Sequence, residues 1–356
     1  MLLKADYGEL FPTRKSFVVF IAYMALFVNQ GLLVTASQNQ SDNSYNYNIV
    51  LVVLITEAVK LLVSVLLYCK ENHPKTFCSD FLSNSNVMML YFIPAFLYCL
   101  YNNLAFINLS AFDPTSYFLL LQFRVVITAI LFQIVFNKKL SKQQWFSLMV
   151  LTLGCVVKHV DLSGPPQSPA KLEPQQPLDN TTGGINIWMN FLLILVQVVC
   201  SCLAGVYNEF ILKKPGSEVN IYIQNSYMYI DSIVCNAAVL LYQGNISQVF
   251  SADSINLVLK YKVLLVIVNN AAIGIVTSFF LQSLNSIVKT FASALELIFT
   301  AILSWILFDI PIFTNTICAI ILVSLAVIVY SQNPINNTRP AASDDTKLKS
   351  KHISAV

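Results

Sequence analysis

Apolar residues in this chain fall into ten long runs, at 17–36, 49–69, 87–107, 114–136, 144–160, 185–212, 221–243, 262–282, 287–308 and 312–331. A helix needs roughly 20 such residues to cross a bilayer. Lipid offers no partner for open backbone groups, so each run is predicted to be helical. The pattern therefore predicts an all-α membrane protein of ten transmembrane helices. Residues 1–16 precede them, 17–160 form a first five-helix half and 185–331 a second. Between the halves, 161–184 is rich in Pro, Gln and Gly and reads as a flexible linker. The polar tail, 332–356, is expected to be disordered.

Composition agrees with the pattern. Of 356 residues, 56% are hydrophobic and 11% charged, against about 25% charged in an ordinary soluble domain. A soluble enzyme or a nucleic-acid binder is not the default reading. The net charge of +3 is too small to argue for an anionic partner. Lys4, Arg14 and Lys15 precede the first run, which lacks a convincing cleavage site and reads as a membrane helix.

Where the cations fall sets the orientation. Of 21 lysines and arginines, Lys60, Arg124 and Lys289 lie deep inside runs; Lys171 and Lys260, with Lys158 and Lys262 at run ends, fall on one side of the membrane. The other fourteen lie on the side of the N-terminus, so both termini are expected to be cytosolic. Three sequons, at Asn39, Asn180 and Asn245, fall in loops on the far side and are glycosylation candidates. A fourth, at Asn336, falls in the cytosolic tail.

The halves echo each other. Thr128-Ala-Ile-Leu131 recurs 172 residues later as Thr300-Ala-Ile-Leu303, pairing the fourth run with the ninth. An odd number of spans per half makes the copies enter the membrane in opposite senses. Inverted repeats are a mark of secondary transporters, whose substrate site lies at the repeat interface. The offset also aligns Tyr117 with Lys289 and Arg124 with Glu296. On helical spacing, Tyr117, Arg124 and Thr128 share one face, and Lys289, Ser293, Glu296 and Thr300 another.

Six charges stand out within the runs: Glu57, Lys60, Arg124, Asp231, Lys289 and Glu296. Such residues are costly in lipid and face protein or water. Glu57 and Lys60, three apart, are expected to pair on their own helix. Arg124 either pairs with Glu296 or meets a ligand; in both cases Lys289 stays available to an anion such as phosphate. The bland alternative is that the six pair with one another; Glu57, Lys60 and Glu296 read as structural or gating charges. A polar and aromatic set surrounds them: Tyr98, Tyr101, Asn102, Asn103, Ser201, Tyr207, Asn225 and Tyr229. Singly these residues usually bond one helix to another. Together they suit a ligand with a ring, hydroxyls and phosphates.

No GxGxxG or GxxxxGK occurs, no Ser-His-Asp set is evident, and the three histidines are unclustered. No catalytic residues, metal or cofactor are expected. Seven of the eight cysteines lie in apolar runs, where Cys packs as a small hydrophobe, and Cys78 is expected in a loop.

Several stretches together carry a resemblance: Thr56-Glu-Ala-Val-Lys-Leu61, Tyr101-Asn-Asn-Leu-Ala-Phe106, Tyr117 through Arg124, Leu140-Ser-Lys-Gln-Gln-Trp145, Gly205-Val-Tyr-Asn-Glu209 and Ile287-Val-Lys-Thr-Phe-Ala-Ser293. The chain resembles the nucleotide-sugar transporters of the Golgi and endoplasmic reticulum, in the branch of the CMP-sialic acid and UDP-galactose carriers. That resemblance implies a drug/metabolite transporter-like fold and exchange of a cytosolic nucleotide sugar for lumenal nucleoside monophosphate, without ion or ATP. UDP-galactose for UMP in the Golgi membrane is the first expectation. CMP-sialic acid, UDP-N-acetylglucosamine or UDP-glucose, and a non-transporting scaffold on the same fold, stay open. So do a homodimer and a complex with Golgi glycosyltransferases. Motif by motif, Asn102, Tyr117, Ser201, Asn225, Tyr229 and Lys289 would line the site. Arg124 stands where the branch has lysine, which keeps the charge and changes its geometry.

Overall fold

The computed structural model describes residues 11, 13–37, 49–111, 117, 120–159, 183–216, 218–244, 249–308 and 314–335, and among them every regular element is an α-helix. Twelve helices are described: α1 Arg14–Ser37, α2 Ile49–Glu71, α3 Thr76–Ser83, α4 Ser85–Ala111, α5 Arg124–Phe136, α6 Lys142–His159, α7 Gly183–Lys213, α8 Ile221–Gln243, α9 Ala252–Val258, α10 Tyr261–Ser283, α11 Ser286–Phe308 and α12 Thr314–Ser331. The three far-side sequons, most of the linker and the tail beyond 335 lie outside the described residues.

Within α2, α4, α7, α10 and α12 lie stretches long and apolar enough to cross a membrane: Val50–Glu71, Ser85–Ala105, Trp188–Lys213, Tyr261–Ser283 and Thr314–Ser331. Large apolar side chains such as Leu66, Met89, Phe96, Trp188 and Ile321 lie exposed on the outer surface, where water would penalise them and lipid does not. The chain is a multi-pass membrane protein.

Local chemistry sets the helix ends. In Ser141-Lys-Gln-Gln144 the Ser141 hydroxyl accepts from Gln144 N at 3.2 Å, and Gln144 Oε1 accepts from Ser141 N at 2.8 Å. This capping box starts α6. Asn220 caps α8 through Tyr222 N, and Ser251 caps α9 through Ser254 N. Asn137 at φ 52° and Gly244 at φ 70° stop α5 and α8 in the left-handed region.

Two boundaries differ from expectation. The run 114–136 is not one uninterrupted helix in its described part. Phe123 N bonds Leu120 O and Val125 N bonds Gln122 O, each reaching back three residues, and regular α-helix begins at Arg124. This tight 3₁₀-like step puts Arg124 in the first turn of α5. Cys78 lies on the short helix α3, not in a loop.

The most extensive packing joins α6 with α12, α4 with α7, α1 with α10, and α8 with α2 and α4. Further contacts join α5 with α7, α1 with α11, α2 with α10, and α5 with α11. Number the ten long helices in order and exchange the first five with the last five. The pair α4–α7 then becomes α10–α1, α4–α8 becomes α10–α2, and α5–α7 becomes α11–α1. The pairs α6–α12, α2–α8 and α5–α11 map onto themselves.

Candidate functional site

Lys289 stands one turn into α11 and lines two cavities at once. The smaller, about 120 Å³, is also walled by Arg124 and Thr128 of α5, Ser201 and Gly205 of α7, and Ser286 and Ser293 of α11. The larger, about 270 Å³, is walled by Glu57 and Lys60 of α2, Tyr98 and Asn102 of α4, Asn208 of α7, Tyr229 of α8 and Gly274 of α10. Elements from both halves of the chain thus meet at one lysine.

The electrostatics follow from which charges are paired. Lys60 Nζ lies 2.5 Å from Glu57 Oε1, as their spacing on one helix predicts. The same ammonium stands 4.8 Å from the centroid of the Tyr229 ring. Arg124 and Lys289 have no ion-pair partner among the described residues, and Arg124 makes no bridge to Glu296. Two cations therefore face the smaller cavity without a salt bridge to any carboxylate among the described residues. An anion entering there gains charge-assisted hydrogen bonds from groups that are costly to leave bare.

The other sequence-derived residues divide. Asn102, Ser201 and Tyr229 wall the cavities. Tyr117 and Asn225 are not among the wall residues. Tyr117 is buried and its hydroxyl accepts from Gln197 Nε2 at 2.8 Å, while Gln197 Oε1 accepts from Asn108 Nδ2 at 2.7 Å. Asn225 is buried one turn from Tyr229, and its Nδ2 has no partner among the described residues. On α11, Lys289 and Ser293 reach the smaller cavity, whereas Glu296 and Thr300 are not among its walls. Asp231 is buried in α8 and is not among the walls of either cavity, although its neighbour Ser232 lines the larger one.

Glu57 and Lys60, read as structural or gating charges, stand in the wall of the larger cavity as well as pairing. Sequence reasoning passed over Glu209 as a buried charge and placed Lys213 in a cytosolic segment. Both are buried in α7, with Lys213 Nζ 2.9 Å from Glu209 Oε1. Their spacing of four, across the end of an apolar run, is the signal for the pair. Among the described residues no group of three or more His, Cys, Asp or Glu could hold a metal ion.

A model of the nucleotide-sugar transporter family matches residues 15–331. The chain is 52% identical to the UDP-galactose transporter senju of Drosophila melanogaster over 94% of this chain and 91% of that protein. It is 26% identical to CMP-sialic acid transporter 1 of Oryza sativa subsp. japonica over 86% and 91%. A protein of known crystal structure shares the fold at a TM-score of 0.60 with 10% identity, covering 88% of this chain and 95% of that one. This chain belongs to the nucleotide-sugar transporter family. Its family and relatives are transporters, not enzymes.

Proposed function

We propose that this protein carries UDP-galactose into the Golgi lumen in exchange for UMP, by alternating access of one site. The observation that carries the reading is Lys289, a cation with no ion-pair partner among the described residues that lines two cavities whose walls come from both halves of the chain. The phosphates meet Lys289 and Arg124. Tyr229 and Asn102, which wall the larger cavity, take the base and sugar, since tyrosine stacks and asparagine both donates and accepts. The identity to a protein named a UDP-galactose transporter supports the choice of sugar.

The architecture proposed is ten spans in two inverted five-helix halves, 17–160 and 185–331, joined by a lumenal linker, with both termini cytosolic. The helix pairings that interchange when the halves are exchanged support it, as does the repeat of Thr128–Leu131 at Thr300–Leu303. Exchange rather than net leak follows from charge. With the site empty, two cations stand bare in a low-dielectric interior; with phosphate bound they are neutralised, which lowers the cost of rocking one half against the other.

The test is uptake by the purified protein in liposomes preloaded with UMP. Labelled UDP-galactose should accumulate, and more slowly in vesicles without UMP. Uptake of CMP-sialic acid instead would change the sugar and the base; no uptake of any nucleotide sugar would overturn the reading.

A further inference from the structure

Lys289 does not hold its own position. Its helix, α11, starts at Ser286, directly after a two-residue corner, Leu284-Asn285, that ends α10. The corner is fastened to α7 by the buried pair Glu209–Lys213. Glu209 Oε2 accepts from Ser286 N at 2.7 Å and from the Ser286 hydroxyl at 2.6 Å, while Oε1 accepts from Lys213 Nζ at 2.9 Å. Lys213 Nζ also donates to Leu284 O. One ion pair thus satisfies an open N–H at the start of α11 and an open carbonyl at the end of α10. In each case its sign complements the helix dipole.

The consequence reaches the cavity within one turn. Ser286 itself lines the smaller cavity. Lys289 N bonds Asn285 O at 3.1 Å, and Asn285 Oδ1 takes Val288 N at 2.8 Å. The first turn of α11 is therefore set by groups tied to Glu209, and three residues of helix advance only about 4.5 Å along its axis. A buried ion pair is weak as a source of stability, because desolvation offsets most of its attraction. Its value at this place lies in fixing one geometry.

We infer that Glu209 is a positioning residue for nucleotide binding: through Ser286 it fixes the first turn of α11, and so the place of the Lys289 ammonium between the two cavities. The inference rests on the reading that Lys289 meets the substrate phosphates. It adds a role for a carboxylate that never touches the ligand.

The experiment is a double-mutant cycle on UMP affinity, read as thermal stabilisation of the full-length protein in detergent, with uridine as the phosphate-free control. Glu209→Gln should bind UMP about tenfold more weakly, equal to about 1.4 kcal/mol, and uridine as the unaltered protein does. On a Lys289→Ala background the same change should cost nothing further. If Glu209→Gln fails to fold because Lys213 is left buried and unpaired, Glu209→Gln with Lys213→Met removes both charges and undergoes the same test. Unaltered UMP affinity in a folded variant, an equal loss for uridine, or a full additional loss on the Lys289→Ala background would each overturn the inference. If Lys289→Ala alone keeps its UMP affinity, the underlying site reading fails instead.

Discussion

Gly274 of α10 faces the stem of Lys60 so closely that a Cβ built on it would lie 2.4 Å from Lys60 Cδ. The missing side chain is what lets Lys60 lie between Glu57 and the Tyr229 ring in the larger cavity. Gly274→Ala would displace that flexible stem at small cost to the fold. Moving the Lys60 ammonium off the Tyr229 ring reshapes the wall of the larger cavity, so UDP-galactose binding should weaken. Competition binding beside a melting curve checks this. Unaltered affinity would show that Lys60 stands clear of the ligand.

Lys289→Ala removes the cation shared by both cavities. A charge-assisted hydrogen bond is worth about 1.5–3 kcal/mol, so UMP affinity should fall about 10- to 150-fold with the fold retained. Lys289→Arg should recover part of it, since the charge returns with a different shape. Aggregation of both variants on size-exclusion chromatography would mark Lys289 as structural instead.

Gly154 lies where α6 packs tightly against α12. A Cβ there would meet Val323 Cγ2 at 3.0 Å, Leu322 Cβ at 3.1 Å and Val323 N at 3.2 Å. The backbone atom cannot turn aside, so Gly154→Val should destabilise by about 1–3 kcal/mol. Neither helix contributes a wall residue to the two cavities. Nucleotide affinity of the folded fraction should therefore be unaltered, and a drop would show that this contact is coupled to the site.

Gln197 links Asn108 to Tyr117 inside the bundle. Gln197→Leu leaves the Asn108 amide facing an apolar chain, at a cost of about 1–3 kcal/mol. Adding Asn108→Leu should restore part of that loss, because both ends of one bond are then gone. Thermal melts of the single and double variants decide it, and simple additivity would mean the two amides do not depend on each other.

Much of this was legible in the order of residues. Hydropathy marks where α2, α4, α7, α10 and α12 run, because each apolar run must close its own backbone bonds in lipid. Ser141 with Gln144 announces a helix start, and Glu57 with Lys60 announces a pair, because those partners sit within one turn of each other. Lys289 stood out by chemistry alone, as a charge that lipid does not tolerate unattended.

What only the tertiary structure decided concerns contacts between turns far apart in sequence. The start of regular helix at Arg124, the separation of Tyr117 from the cavity walls and the passage of Lys60 across Gly274 all depend on which helices approach and how closely. Glu209 is the clearest case. Its spacing from Lys213 is visible in the sequence, but its hold on Ser286, 77 residues on, exists only because α7 ends beside the corner between α10 and α11. Periodicity says which residues share a face; it carries no information about whose helix end that face will meet.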